Sequence, residues 1–258
     1  MDLELADKVA LIAGSSRGIG FATAQCFLRE GASVIITARG ERTLAEARQA
    51  LEEAAGPSRL VAVRADMTTP EGVGAAVAAA LEQFGRIDAV VANVGNGHVQ
   101  PGWDIDEAQW ISVLNTNLTG ATAVARCAIP HLKVTRGSLL FVSSIAGLEA
   151  TGAPMTYSAA KASIGVVVKC LSRLLGADGV RVNAVAPGNV LFSGSRWEQR
   201  ISENPDEVQS YIRSEVPLRR FASPNEIAAS IVFLSSPCAS FISGACLVID
   251  GGQTRSFF

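Results

Sequence analysis

Val9-Ala10-Leu11-Ile12-Ala13-Gly14-Ser15-Ser16-Arg17-Gly18-Ile19-Gly20 is the stretch that decides the fold. Five apolar residues run without a polar interruption, as they do in a strand covered on both faces. A turn with three glycines follows, and then a longer Ala-containing segment that begins at Gly18. A strand, a glycine turn and a helix start in that order form a phosphate cradle. Glycine lets the backbone come close to the anion, and the helix N-terminus offers amide donors and a favourable dipole. Gly14, Ser15, Ser16, Arg17, Gly18, Ile19 and Gly20 are therefore candidate dinucleotide-binding residues.

Outward from this turn the same alternation repeats. Apolar, β-branched runs at 9–13, 33–37, 60–64, 89–92, 138–142, 181–185 and 246–249 predict seven strands. Helix-length segments between them fall at about 18–30, 41–55, 70–84, 106–130, 155–177 and 224–236. Strands that are apolar almost throughout and separated by helices predict an α/β fold: one doubly wound domain over residues 1–258, with a seven-stranded parallel sheet flanked by helices. The segment 190–221 breaks the rhythm after Pro187-Gly188 and is expected to be a substrate lid.

Composition narrows the function classes. The chain has 258 residues, 48% of them hydrophobic, and a formal net charge of −2 without a Lys/Arg run, so nucleic acid is not an expected partner. Met1 to Leu5 is acidic and predicts no secretory signal, and no apolar run reaches membrane-spanning length. Cys26, Cys127, Cys170, Cys238 and Cys246 are scattered without a CxxC pair. They read as small apolar residues of a reducing cytoplasm. His98 and His131 do not make a metal site.

Tyr157 and Lys161 stand four residues apart in the 155–177 helix, a spacing that stacks both side chains on one face. An unperturbed phenol titrates near 10, and a close positive charge favours its ionised form. Such a group can give a proton to a carbonyl oxygen or take one from an alcohol. By itself the spacing also fits one core ring and one solvated amine.

With Gly14-xxx-Gly18-x-Gly20, the chain resembles the short-chain dehydrogenase/reductase family at Asp66-Met67, Ala92-Asn93-Val94-Gly95, Asn117-Leu118-Thr119-Gly120, Ser143-Ser144, Tyr157-xxx-Lys161, Pro187-Gly188, Ile242-Ser243-Gly244 and Val248-Ile249-Asp250-Gly251-Gly252. Within the family the likeness is to the 3-oxoacyl-[acyl-carrier-protein] reductase-like branch. It departs from the pattern at Ala13, where Thr is usual, at Ala92 and Val94, and at Phe192, where Thr commonly contacts the nicotinamide end of the cofactor. The resemblance implies a Rossmann-type domain and an oxidoreductase that interconverts a ketone and a secondary alcohol. Ser144 would orient the carbonyl, with Ser143 as the competing candidate. Tyr157 would transfer the proton, Lys161 would bind the nicotinamide ribose and lower the phenol pKa, and Asn117 would hold a water that relays protons to Lys161. Asp66, Met67, Asn93 and Gly95 would line the adenosine, and Pro187, Gly188 and Val190 the nicotinamide end.

The end of the second strand bears on the cofactor. An acid there would accept from an unphosphorylated ribose, but Ile36-Thr37-Ala38-Arg39 offers Ala38 and a cation, and Arg17 adds a second. NADP(H) is expected over NAD(H). Substrate-facing candidates are Ser144, Tyr157, Glu149, Asn189 and Trp197, in the segments 96–100, 148–154 and the lid. The lid's Leu191, Phe192 and Trp197 could close over a substrate or form a small core of their own. A small-molecule or carrier-bound carbonyl compound is the expected partner, and the apolar helices 104–130 and 155–177 predict a homotetramer. An NAD-dependent alcohol or sugar dehydrogenase on the same scaffold, and a catalytically silent nucleotide sensor, are the competing readings.

Overall fold

The computed structural model describes residues 2–256. The single-domain expectation spans 1–258, of which Met1, Phe257 and Phe258 lie outside the described residues. Seven strands form one sheet: β1 (Val9–Ile12), β2 (Ser33–Ala38), β3 (Leu60–Arg64), β4 (Ala89–Ala92), β5 (Ser138–Val142), β6 (Arg181–Pro187) and β7 (Cys246–Ile249). Their order is β3-β2-β1-β4-β5-β6-β7, and every pair is parallel. Each strand thus needs a crossover, and helices supply them: α1 (Gly18–Arg29), α2 (Glu41–Ala55), α3 (Pro70–Phe84), α4 (Glu107–Leu114), α5 (Gly120–Thr135), α6 (Met155–Leu175) and α9 (Pro224–Ser235).

The period of two along β1 sets the layers. Val9, Leu11 and Ala13 join the core on one face of the sheet, while Ala10 and Ile12 join the core on the other. β1 and β4 are neighbours although β2 and β3 come between them in the chain. The connections therefore diverge at the carboxyl ends of β1 and β4, the crevice where doubly wound sheets bind ligands.

Two expectations are corrected. The 106–130 segment is not one helix: a π turn at Asn115–Thr119 separates α4 from α5. The lid, in which no helix was expected, contains α7 (Arg196–Glu203) and α8 (Pro205–Glu215). Ser195 caps α7 by accepting from the Glu198 amide, and Asn204 caps α8 by accepting from Glu207. Their apolar faces, with Val208, Ile212, Val216 and Phe221 buried, form a small separate core. The lid is tied back to the body by a bridge between Val190 and Ala222. No helix among the described residues is long and apolar enough to cross a membrane.

Candidate active site

The site is assembled where β5 ends. Ser144 has an extended backbone and its hydroxyl accepts from the Ala146 amide at 3.2 Å, capping the short turn Ile145–Gly147. α6 crosses directly over that turn. A Cβ on Gly147 would stand 2.5 Å from the Lys161 carbonyl carbon, so only glycine permits the approach. Ser143 and Lys161 then lock strand to helix. The Ser143 hydroxyl donates to the Lys161 carbonyl at 2.9 Å, and the Lys161 ammonium donates to the Val142 carbonyl at 2.9 Å. Ser143 is thereby occupied, and the Ser144 hydroxyl is the one that acts on the Tyr157 phenol.

Tyr157 is half-buried and Lys161 buried, with the ammonium 5.7 Å from the phenol ring centroid. The expectation that Lys161 brings the phenol pKa down is corrected for this arrangement. Burial pushes the Tyr157 phenol up, and the Ser144 hydroxyl offsets part of that rise. Burial also brings the Lys161 amine down to about 8. Both groups lose more by leaving water than they gain from each other.

Asn117 sits in the π turn and is fully buried. Its amide nitrogen donates to Val113 and Asn96 carbonyls at 3.1 and 3.2 Å, and its oxygen accepts from the Asn96 amide at 3.0 Å. The side chain clamps the 95–97 loop against the helix. Gly95 must be glycine here, because a Cβ would lie 2.6 Å from the Asn117 oxygen and 3.1 Å from the Lys161 nitrogen.

The glycine turn is built for close approach. Gly14 and Gly18 have positive φ, and a Cβ on Gly20 would stand 2.3 Å from the Gly14 carbonyl oxygen. The Asn93 amide donates to that carbonyl at 2.9 Å, tying the β4 end to the turn. Sequence reading missed Thr37, whose hydroxyl accepts from Gly14 at 3.1 Å and anchors the turn to β2. Its only signal was a polar residue inside an apolar strand. No side chain caps the α1 N-terminus, and Arg17 and Arg39 are exposed with no ion-pair or hydrogen-bond partner among the described residues for either guanidinium. Open helix amides, close-approach glycines and two available guanidiniums fit the phosphates of a dinucleotide. The Phe192 ring packs on Gly18, so the loop after Gly188 covers this turn.

Other predicted positions are placed differently. The Ser15 hydroxyl is buried, donating to Ile12 and accepting from Thr37, so it holds β1 to β2 and does not face a ligand. The Met67 side chain is in the core, leaving only its backbone available. Asp66 accepts from the Thr68 amide and hydroxyl, and the hydroxyl is the main cause of its lowered pKa. Pro187 closes β6, Gly188 lies against Asp250, and Val190 is buried beside the sheet. Three substrate candidates are taken by other contacts. The Glu149 carboxylate accepts from the Arg255 amide at 2.8 Å and from the Ser256 amide and hydroxyl. Trp197 stacks on Tyr211 and packs at a tilt against Phe221 in the lid core, and its indole donates to Asn189. Asn189 in turn donates to Tyr211 and Gln253. The two roles left open for Trp197 are resolved in favour of the lid's own core. No group of three metal-ligating side chains occurs among the described residues.

A family model described as enoyl-(acyl carrier protein) reductase matches residues 13–254. The chain is 36% identical to cis-4-hydroxycyclohexanecarboxylate dehydrogenase of Sinomonas cyclohexanicum, over 96% of this chain and 97% of that protein. It is 35% identical to a 3-oxoacyl-[acyl-carrier-protein] reductase of Chlamydia muridarum, over 98% and 100%. Among solved structures, L-sorbose reductase from Gluconobacter frateurii, complexed with NADPH and L-sorbose, superposes with a TM-score of 0.93 at 31% identity and full coverage of both chains.

Proposed function

The chain belongs to the short-chain dehydrogenase/reductase family, oxidoreductases of alcohols and ketones, and from that premise we propose that it is an NADP(H)-dependent ketoreductase whose proton donor is the Tyr157 hydroxyl. The observation that carries this is the Tyr157 phenol placed under the influence of the Ser144 hydroxyl, with the buried Lys161 ammonium 5.7 Å from its ring. The Ser144 and Tyr157 hydroxyls are the two donors that a carbonyl oxygen would accept from here. Ser144 orients that oxygen, and Tyr157 gives it a proton as the carbonyl carbon is reduced. The raised phenol pKa keeps Tyr157 protonated through neutral pH, which suits an acid in reduction. A bound nicotinamide dinucleotide supplies the hydride. The Gly14–Gly20 turn, Ser15 apart, and Arg39 hold its phosphates, Asp66 and Asn93 its adenosine, and Lys161 the nicotinamide ribose. Asn117 fixes the loop carrying Gly95 against Lys161 and provides the route by which the proton is replaced.

Replacing Tyr157 with Phe removes the transferable proton and little volume. NADPH oxidation should fall about 10²–10⁴-fold while NADPH still binds. The assay uses a 3-oxoacyl thioester, 4-oxocyclohexanecarboxylate and L-sorbose, which represent the carrier-linked, cyclic and sugar chemistries of the relatives. A protein that binds NADPH and turns over none of a broad ketone panel would be a nucleotide sensor instead. Residual turnover in Tyr157→Phe equal to wild type would remove Tyr157 from the mechanism.

We infer further that the protein assembles as a homotetramer. An apolar groove of about 350 Å³ runs between α5 and α6, lined by Thr122, Ala125, Arg126, Ile129, Val167 and Leu171. Val166 and Leu174 of α6 are exposed. A helix apolar beyond its core-facing stripe calls for a second partner.

A further inference from the structure

We propose that Arg64, at the end of β3, is a specificity-determining residue that sets the preference for a phosphorylated cofactor by holding Glu41 away from Arg39. The proposal rests on Arg17 and Arg39 being the ligands of the 2′-phosphate.

The register of the sheet brings the residues together. β2 and β3 pair with Ala38 opposite Arg64, so Arg64 leaves the sheet beside the residue that precedes Arg39. Its Nε donates to the Arg39 carbonyl at 3.2 Å, and its Nη1 pairs with the Glu41 carboxylate at 3.2 Å. One guanidinium thus engages both the backbone of residue 39 and the side chain of residue 41.

The ends of β2 and β3 and the start of α2 carry two acids, Glu41 and Asp66. Asp66 is held by Thr68, and the Arg39 charge acts on it more weakly. Glu41 opens α2, whose N-terminus has no side-chain cap, so its carboxylate is at home there and would compete with any phosphate for the same field. Only Gly40 separates it from Arg39 in the chain. Arg64 pairs with Glu41 and leaves Arg39 free of a direct ion pair, with Asp66 acting on it through charge alone. The Arg64–Glu41 pair is itself exposed, with side chains 65% and 82% accessible. A pair so exposed adds little to folding stability. Its effect should therefore appear in cofactor choice and not in the melting temperature.

The test is fluorescence titration of NADPH and NADH against wild type, Arg64→Gln, Glu41→Gln and the double variant at one fixed, low ionic strength. Arg64→Gln should weaken NADPH about three- to tenfold with NADH unchanged or tighter, the size expected of an exposed charge acting across water. Glu41→Gln should leave NADPH at least as tight as in wild type. On that background the Arg64 substitution should cost less than about twofold, since the charge it restrains is gone. Equal losses of NADPH and NADH, an unchanged ratio, or the same loss with and without Glu41 would each overturn the assignment. A wild-type protein with no preference for NADPH would overturn the cofactor reading and this assignment with it.

Discussion

Lys161 is an amine held almost entirely out of water, and its pKa of about 8 measures the cost. In the unfolded chain it keeps its proton to about 10.5; in the folded protein it gives it up near 8. Between those values the unfolded state binds more protons, so raising the pH favours the folded state. Below pH 8 both states are protonated and the penalty is at its full size. The shift corresponds to about 3 kcal/mol. Relative to Lys161→Met, which has no proton to lose, wild type should gain about that much between pH 8 and pH 10.5 in urea unfolding. A gap that does not change with pH would mean the amine is solvated. The spacing of Tyr157 and Lys161 was plain in the sequence. The direction in which each titrates was not, because it depends on burial by Gly95, Val142 and the 145–147 turn, none of which is near them in the chain.

Elements whose boundaries coincide with changes of periodicity were the most legible. α2 and α3 begin and end where the apolar pattern does, and β3, β4, β5 and β7 match their apolar runs. The π turn was hidden, since one extra residue in a helix only slips the phase of the pattern and leaves its composition alone. Its consequence is local: it turns Asn117 inward to clamp Asn96. Asn117→Ala would leave one amide and two carbonyls without their partner, costing about 1–3 kcal/mol. For a chain of this length that is a fall in Tm of about 2–10 °C, measurable by calorimetry. The turnover loss should exceed any loss of NADPH affinity. α7 and α8 were missed because they are short and mostly polar, yet Ser195-x-x-Glu198 and Asn204-Pro205 are helix starts that could have found them.

At the scale of the molecule, the parallel order was readable because only crossovers can join strands of this kind, and the family motifs fall at their carboxyl ends. Whether copies associate was less so, since an apolar helix face can be covered from inside or outside. Sedimentation at dilute concentration should give a single species of four chains; introducing a charge into the groove, as in Ile129→Glu, should reduce it to dimers or monomers. Because every strand points the same way, all the chemistry gathers at one end of the sheet, and the turns from helix back to strand gather at the other. Gly56 and Gly85 close two of those turns and face open space. A short peptide inserted beside either should leave NADPH-dependent turnover within about twofold of wild type. The fold has a working rim and a blank one, and any label, tether or fused domain belongs on the blank one.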